Sequence, residues 1–126
     1  GGCIVDLNSM RRRVFVVISA LLVMASVAFA DDRSKAKEQV EFGIKVAQNG
    51  LWNEALYRWK RAVEIDPSYA AGWNNLAIAF EHEGRFEEAK QAYEKAIQLD
   101  SKNMLIKQNY DLFKEINERT KRRSAR

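Results

Sequence analysis

The sequence predicts an all-α protein: a stack of paired helices behind an apolar leader, closed by one more helix. Three observations point there. The chain matches itself at a spacing of 34 residues, its apolar positions recur at helical spacing, and its 126 residues contain one proline and six glycines. A fixed period of this length marks stacked supersecondary units. A sheet protein would need many more turn signals.

The leader comes first. Residues 1–9 match no part of a targeting segment and read as upstream translated sequence before a natural-looking start at Met10. Arg11, Arg12 and Arg13 then precede an uncharged apolar run over residues 14–30, which ends in Ala28-Phe29-Ala30 and is followed by Asp31 and Asp32. Basic start, apolar middle and small-residue exit form the secretory pattern, so residues 10–30 are predicted to be a signal peptide. This implies a bacterial, Sec-exported protein, periplasmic or secreted. The alternative is an inner-membrane anchor with residues 14–30 retained, although the run is slightly short of the roughly 20 residues a spanning helix prefers. No cysteine follows the apolar run to take a lipid. Cys3, the only one, lies upstream and leaves the remaining chain neither a disulfide nor a cysteine metal site.

Two helix pairs follow over residues 34–103, one over 36–69 and one over 70–103. At the 34-residue offset Gly50 falls on Gly84, Glu54 on Glu88, Ala55 on Ala89, Ala62 on Ala96 and Asp66 on Asp100. Similar residues match too: Phe42 with Leu76, Gly43 with Ala77, Trp52 with Phe86 and Trp59 with Tyr93. Trp73, Leu76, Ala77 and Phe80 follow i, i+3, i+4, i+7 spacing, the apolar stripe of an amphipathic helix. Gly84 ends it, because glycine takes the left-handed cap conformation cheaply. Phe86 begins the return helix, whose stripe is Ala89, Tyr93, Ala96 and Ile97. Asp66-Pro67 closes the first pair, since proline cannot continue a helix.

These residues resemble the tetratricopeptide repeat (TPR) family. The second pair carries the signature nearly complete, with Trp73, Leu76, Ala77, Phe80, Gly84, Ala89, Tyr93 and Ala96 in place. The first matches from Phe42 and Gly43 through Gly50, Ala55, Trp59, Ala62 and Pro67, with Gln39 where the early tryptophan belongs. The second has Ser101 at the closing proline. The resemblance covers residues 34–118 and implies a right-handed helical-repeat solenoid of two TPR helix pairs.

Residues 104–119 are predicted to cap the stack. Met104, Ile106, Tyr110, Phe113 and Ile116 can cover its open end, while Lys107, Asp111, Lys114 and Glu118 form a charged outer face. Two pairs are fewer than the roughly three such stacks usually need. Either the cap suffices, or the open N-terminal edge packs against a second copy or a partner. Residues 120–126 are basic, with Ala125 the only apolar residue, and are expected to be disordered. Such a tail either solubilises the terminus or touches anionic lipid or an acidic partner.

Charge and motifs exclude several functions. Basic residues gather at the two ends, and the body between carries more acids than bases, unlike the basic stripe of a nucleic-acid-binding domain. There is no Gly-rich phosphate loop, nucleophile elbow or Cys/His cluster, so neither enzyme chemistry nor a cofactor or metal is expected. His82, the only histidine, lacks converging partners for catalysis. Trp52, Trp59 and Trp73 fall where the repeat wants core aromatics rather than a stacking platform. The resemblance implies a concave groove that grips a peptide or helix of a protein partner. It would be lined by Lys37, Val40, Ile44, Ala47 and Gln48, then Ala71, Asn74, Ile78, Glu81 and His82, and continued by Leu105, Gln108 and Leu112. Val40 and Ile44 stand where the carboxylate-clamping branch of the family has polar or basic residues.

Overall fold

The computed structural model describes residues 6–126; Cys3 and most of the upstream segment lie outside the described residues. Among the described residues five helices follow in order: α1 (Leu7–Gln48), α2 (Trp52–Ile65), α3 (Ala70–His82), α4 (Phe86–Leu99) and α5 (Met104–Ser124). No strand occurs among the described residues. The chain forms two compact units, Gly1–Asp32 and Arg33–Arg126.

The first unit is the apolar part of α1. Phe15, Val16, Leu21, Leu22, Met24 and Phe29 are all more than 60% exposed. By length and composition this helix could cross a membrane, and it is the only such helix among the described residues. The hydroxyls of Ser19 and Ser26 donate back to the carbonyls of Phe15 and Leu22, which hides their polarity within the helix.

In the second unit, helices pair because glycine reverses the chain at matching points. Gly50 and Gly84 have φ of 78° and 75°, in the left-handed region. At each turn the same two hydrogen bonds close the helix: Leu51 N–H to Val46 O with Gly50 N–H to Ala47 O, and Arg85 N–H to Phe80 O with Gly84 N–H to Glu81 O. This is a Schellman motif, which satisfies carbonyls that the helix end would leave unpaired. In the second turn the Arg85 guanidinium also lies 4.4 Å from the Phe80 ring centre, closing the apolar side of the motif.

The core follows from the small residues. Ala36, Ala55, Ala62, Ala77, Ala89 and Ala96 are fully buried, and Trp59, Tyr93 and Phe113 are the largest side chains sealed between them. Gly43 marks the closest approach. A Cβ there would stand 2.4 Å from Trp59 Nε1, which instead donates to Val40 O at 3.2 Å. Of the three tryptophans only Trp59 is fully buried; Trp52 and Trp73 are half-buried against the core, and Trp73 Nε1 donates to Pro67 O at 2.8 Å.

The loop between the pairs is tied down from α1. Arg33 donates to the carboxylate of Asp66 and to Ser68 Oγ, and its guanidinium lies over the Tyr69 ring. Burial opposes the charge on Asp66. Hydrogen bonds from Ser68 and Arg33 outweigh it and hold the carboxyl below the usual carboxylate range.

Helix α5 docks through rings. Phe113 lies 5.4 Å from Tyr93 and 6.4 Å from Phe86, centre to centre, and Tyr110 lies 5.7 Å from Tyr93. Ile106 and Phe113 are buried, whereas Met104 and Ile116, also expected to cover the open end, are 63% and 43% exposed. The helix also runs to Ser124, through most of the segment expected to be disordered. Two features extend it. Lys121, Arg122 and Arg123 sit in its last turn, where cations favour the helix dipole. Thr120, Lys121 and Ser124 line a cleft with Gly84, Phe86 and Glu87, so the last turns lie beside the second repeat's reversal.

Candidate interaction groove

The groove positions lie on α1, α3 and α5, and the structure sorts them into two groups. One group is occupied by the fold itself. Val40 is 4% exposed and its carbonyl accepts the Trp59 hydrogen bond. Asn74 is 5% exposed, and its Oδ1 accepts from Asn109 Nδ2 at 3.2 Å, which joins α3 to α5. Glu81 accepts from the Tyr93 hydroxyl at 3.0 Å. Burial and that carboxylate together push the Tyr93 hydroxyl well above the ordinary tyrosine range. His82 is exposed but stacks flat on Trp52, 4.0 Å between ring centres. Val40, Asn74 and Glu81 thus have polar groups engaged in helix–helix contacts, whereas His82 has one ring face covered by Trp52.

The other group is open. Lys37 is exposed and pairs with Glu41 at 3.8 Å. Ile44 and Gln48 line a cleft of about 220 Å³ together with Ala47, Trp52, Trp59 and Asn75. Ile78 is half-buried against the core. On α5, Leu105 and Leu112 are 62% and 58% exposed, and Gln108 and Ala71 are at least partly open. The open positions are therefore mostly aliphatic, which suits apolar side chains of a ligand better than a carboxylate.

No group of three or more His, Cys, Asp or Glu side chains among the described residues could hold a metal ion. Every buried side-chain nitrogen or oxygen among them has a partner, so no polar atom is left aimed at a small ligand.

Comparison with known proteins fits this geometry. The tetratricopeptide repeat model matches residues 70–103, and a second TPR repeat model matches residues 46–84. The chain belongs to the tetratricopeptide repeat family. An uncharacterized protein of Methanocaldococcus jannaschii is 30% identical over 77 residues, covering 61% of this chain and 90% of its own. The type IV pilus assembly protein PilF of Pseudomonas aeruginosa is 33% identical over 82 residues, 64% of this chain and 32% of that one. The crystal structure of the Sgt2 TPR domain from Aspergillus fumigatus superposes with a TM-score of 0.65 at 20% identity, covering 91% of this chain and 76% of that one, which supports the shared fold. This TPR chain spans about a third of the length of curated relatives such as the pilus protein.

Sequence reasoning missed Trp52 and Asn75 beside Ile44 and Gln48, and Ile116 as an exposed neighbour of Leu112. The repeat pattern assigns Trp52 to the core and Ile116 to the cap interface. The α5 register holds a signal for Ile116: it lies four residues after Leu112, on the same helix face.

Proposed function

We propose that this TPR protein is an exported, non-catalytic scaffold that grips a peptide or helix of a protein partner along α1, α3 and α5. The observation that carries this reading is the aliphatic strip there, exposed Ile44 and Leu112 with half-buried Ile78 between them in sequence, and the cleft beside Ile44. TPR proteins typically mediate protein–protein interaction, and the likeness to a pilus assembly protein favours a role in an envelope assembly. No step needs a cofactor, metal or nucleic acid.

Substituting Ile44 and Ile78 with lysine tests the groove. Recovery of envelope partners should fall by about tenfold, since a desolvated lysine ammonium opposes apolar contact. Unchanged recovery with helical content intact would remove the groove from the account.

A second reading has the exposed apolar helix of the first unit retained as an inner-membrane anchor for a subunit of the same assembly. N-terminal sequencing of exported protein separates the two. A chain starting at Asp31 is the cleaved form; a chain that keeps Arg11, Arg12 and Arg13 is the anchored one. Self-association through the N-terminal edge is the less favoured use of that edge. Phe42, an exposed apolar residue of the first pair, already carries the Arg58 guanidinium 4.5 Å above its ring.

A further inference from the structure

Helix α5 carries a single stripe that changes character along its length. Leu105, Leu112 and Ile116 stand 7 and then 4 residues apart and are each exposed. Arg119 and Arg123 follow at 3 and 4 residues, which keeps them on the same face. The register is visible in the structure: Ile116, Arg119, Thr120 and Arg123 line one small cleft of about 210 Å³. Arg119 pairs only with Glu115, at 2.5 Å and exposed to solvent, and Arg123 forms no ion pair among the described residues. The stripe runs about 27 Å at the 1.5 Å rise of a helix. Its first half offers aliphatic surface and its second half offers guanidinium groups.

We infer that the α5 stripe docks an amphipathic partner segment whose apolar face ends in a cluster of carboxylates, the apolar part lying on Leu105, Leu112 and Ile116 and the acidic end on Arg119 and Arg123. The inference rests on the groove being the binding surface and names the chemistry of its ligand. Charge selects this occupant over a second copy of the chain. Two α5 helices laid parallel would set Arg119 and Arg123 against their own equivalents. Laid antiparallel, they would set those arginines against the aliphatic Leu105 end. The stripe itself holds no carboxylate to set opposite the arginines in either arrangement, and arginine forks match carboxylates in pairs. The groove positions of α1 and α3 contribute one cation, Lys37, so the acid-reading element lies on α5 and beyond the two repeats.

The test uses the full chain in zwitterionic detergent and two synthetic helical peptides. Each has leucines at heptad spacing; one ends in four glutamates and the other in four lysines. Fluorescence anisotropy at low salt should show the acidic peptide binding about tenfold tighter or more, because like charges at an interface cost several kcal/mol. The preference should fade as salt rises. Arg119→Glu with Arg123→Glu should reverse it. Lys121→Glu with Arg122→Glu makes the same change in net charge off the stripe and should leave it in place. Leu112→Asp with Ile116→Asp should weaken both peptides, and circular dichroism checks that these exposed substitutions keep the fold.

Equal binding of the two peptides, or an equal effect from the off-stripe pair, would overturn the inference. Sedimentation showing a dimer that Leu112→Asp dissolves would do so as well, as would preference for phosphatidylserine vesicles over the acidic peptide. Loss of native partners on Ile44→Lys with Ile78→Lys, without any peptide preference, would retain the groove and discard this ligand. Peptide preference with native partners unaffected would do the opposite.

Discussion

In the first helix pair a tryptophan lies over a glycine; at the corresponding positions of the second stand a tyrosine and an alanine. Trp59 fits because Gly43 has no Cβ, and its indole N–H is taken up by the Val40 carbonyl. Tyr93 and Ala77, 34 residues on, are 1% and 0% exposed in the same core, a smaller ring where a methyl group replaces the glycine hydrogen. Its hydroxyl reaches Glu81 instead. One backbone plan thus accepts two ring sizes, provided the residue facing the ring changes in step. Interiors packed as densely as crystals leave little slack for anything else. The inter-helix loops differ in the same way. Asp66 is buried and held by Arg33 and Ser68, whereas Asp100 is exposed and meets only Asn103.

Truncating the rings has the largest expected effect. Trp59→Ala should cost about 3–5 kcal/mol in urea unfolding of the full chain in detergent. Gly43→Ala comes next, at about 2 kcal/mol, because the added methyl meets a buried, rigid ring. Adding Trp59→Tyr to Gly43→Ala gives the first pair the second pair's residues and should recover at least half of that loss. No recovery would mean that the two pairs are not interchangeable solutions of one packing problem. Asp66→Ala should cost about 1–2 kcal/mol and Asp100→Ala under about 0.5, since only the first removes acceptors from a part-buried network.

The smallest effect is pH-dependent. Asp66 titrates below its ordinary value in the folded chain, so its ionised form adds stability above the unfolded value of about 3.9. That stability is lost as pH falls through the lower folded value. Arg33→Ala should therefore lower stability modestly at neutral pH and flatten the loss below about pH 4. A parallel shift at all pH values would assign Arg33 a packing role alone.

Much of the fold could be read from the sequence because the repeat states each turn and each stripe twice. Gly50 and Gly84 end helices where the period places them, and the alanines that allow close approach recur with it. The groove was less legible. Asn74 and Asn109 meet across 35 residues, and Trp52 and His82 across 30, through contacts between successive units that no single repeat contains. Helix periodicity gives the face of Val40 but not the depth to which Trp59 draws α1 inward. The end of α5 was missed because a basic, polar tail reads as disordered until a neighbouring turn is found beside it.

Position-resolved photocrosslinking in cells tests the scaffold reading most directly, with a photoreactive residue placed in turn at Ile44, Ile78 and Leu112 and at the exposed outer positions Glu64 and Gln98. The account predicts one discrete partner adduct shared by the first three and absent from the last two. Equal adducts at all five, or adducts only at Glu64 and Gln98, would contradict it.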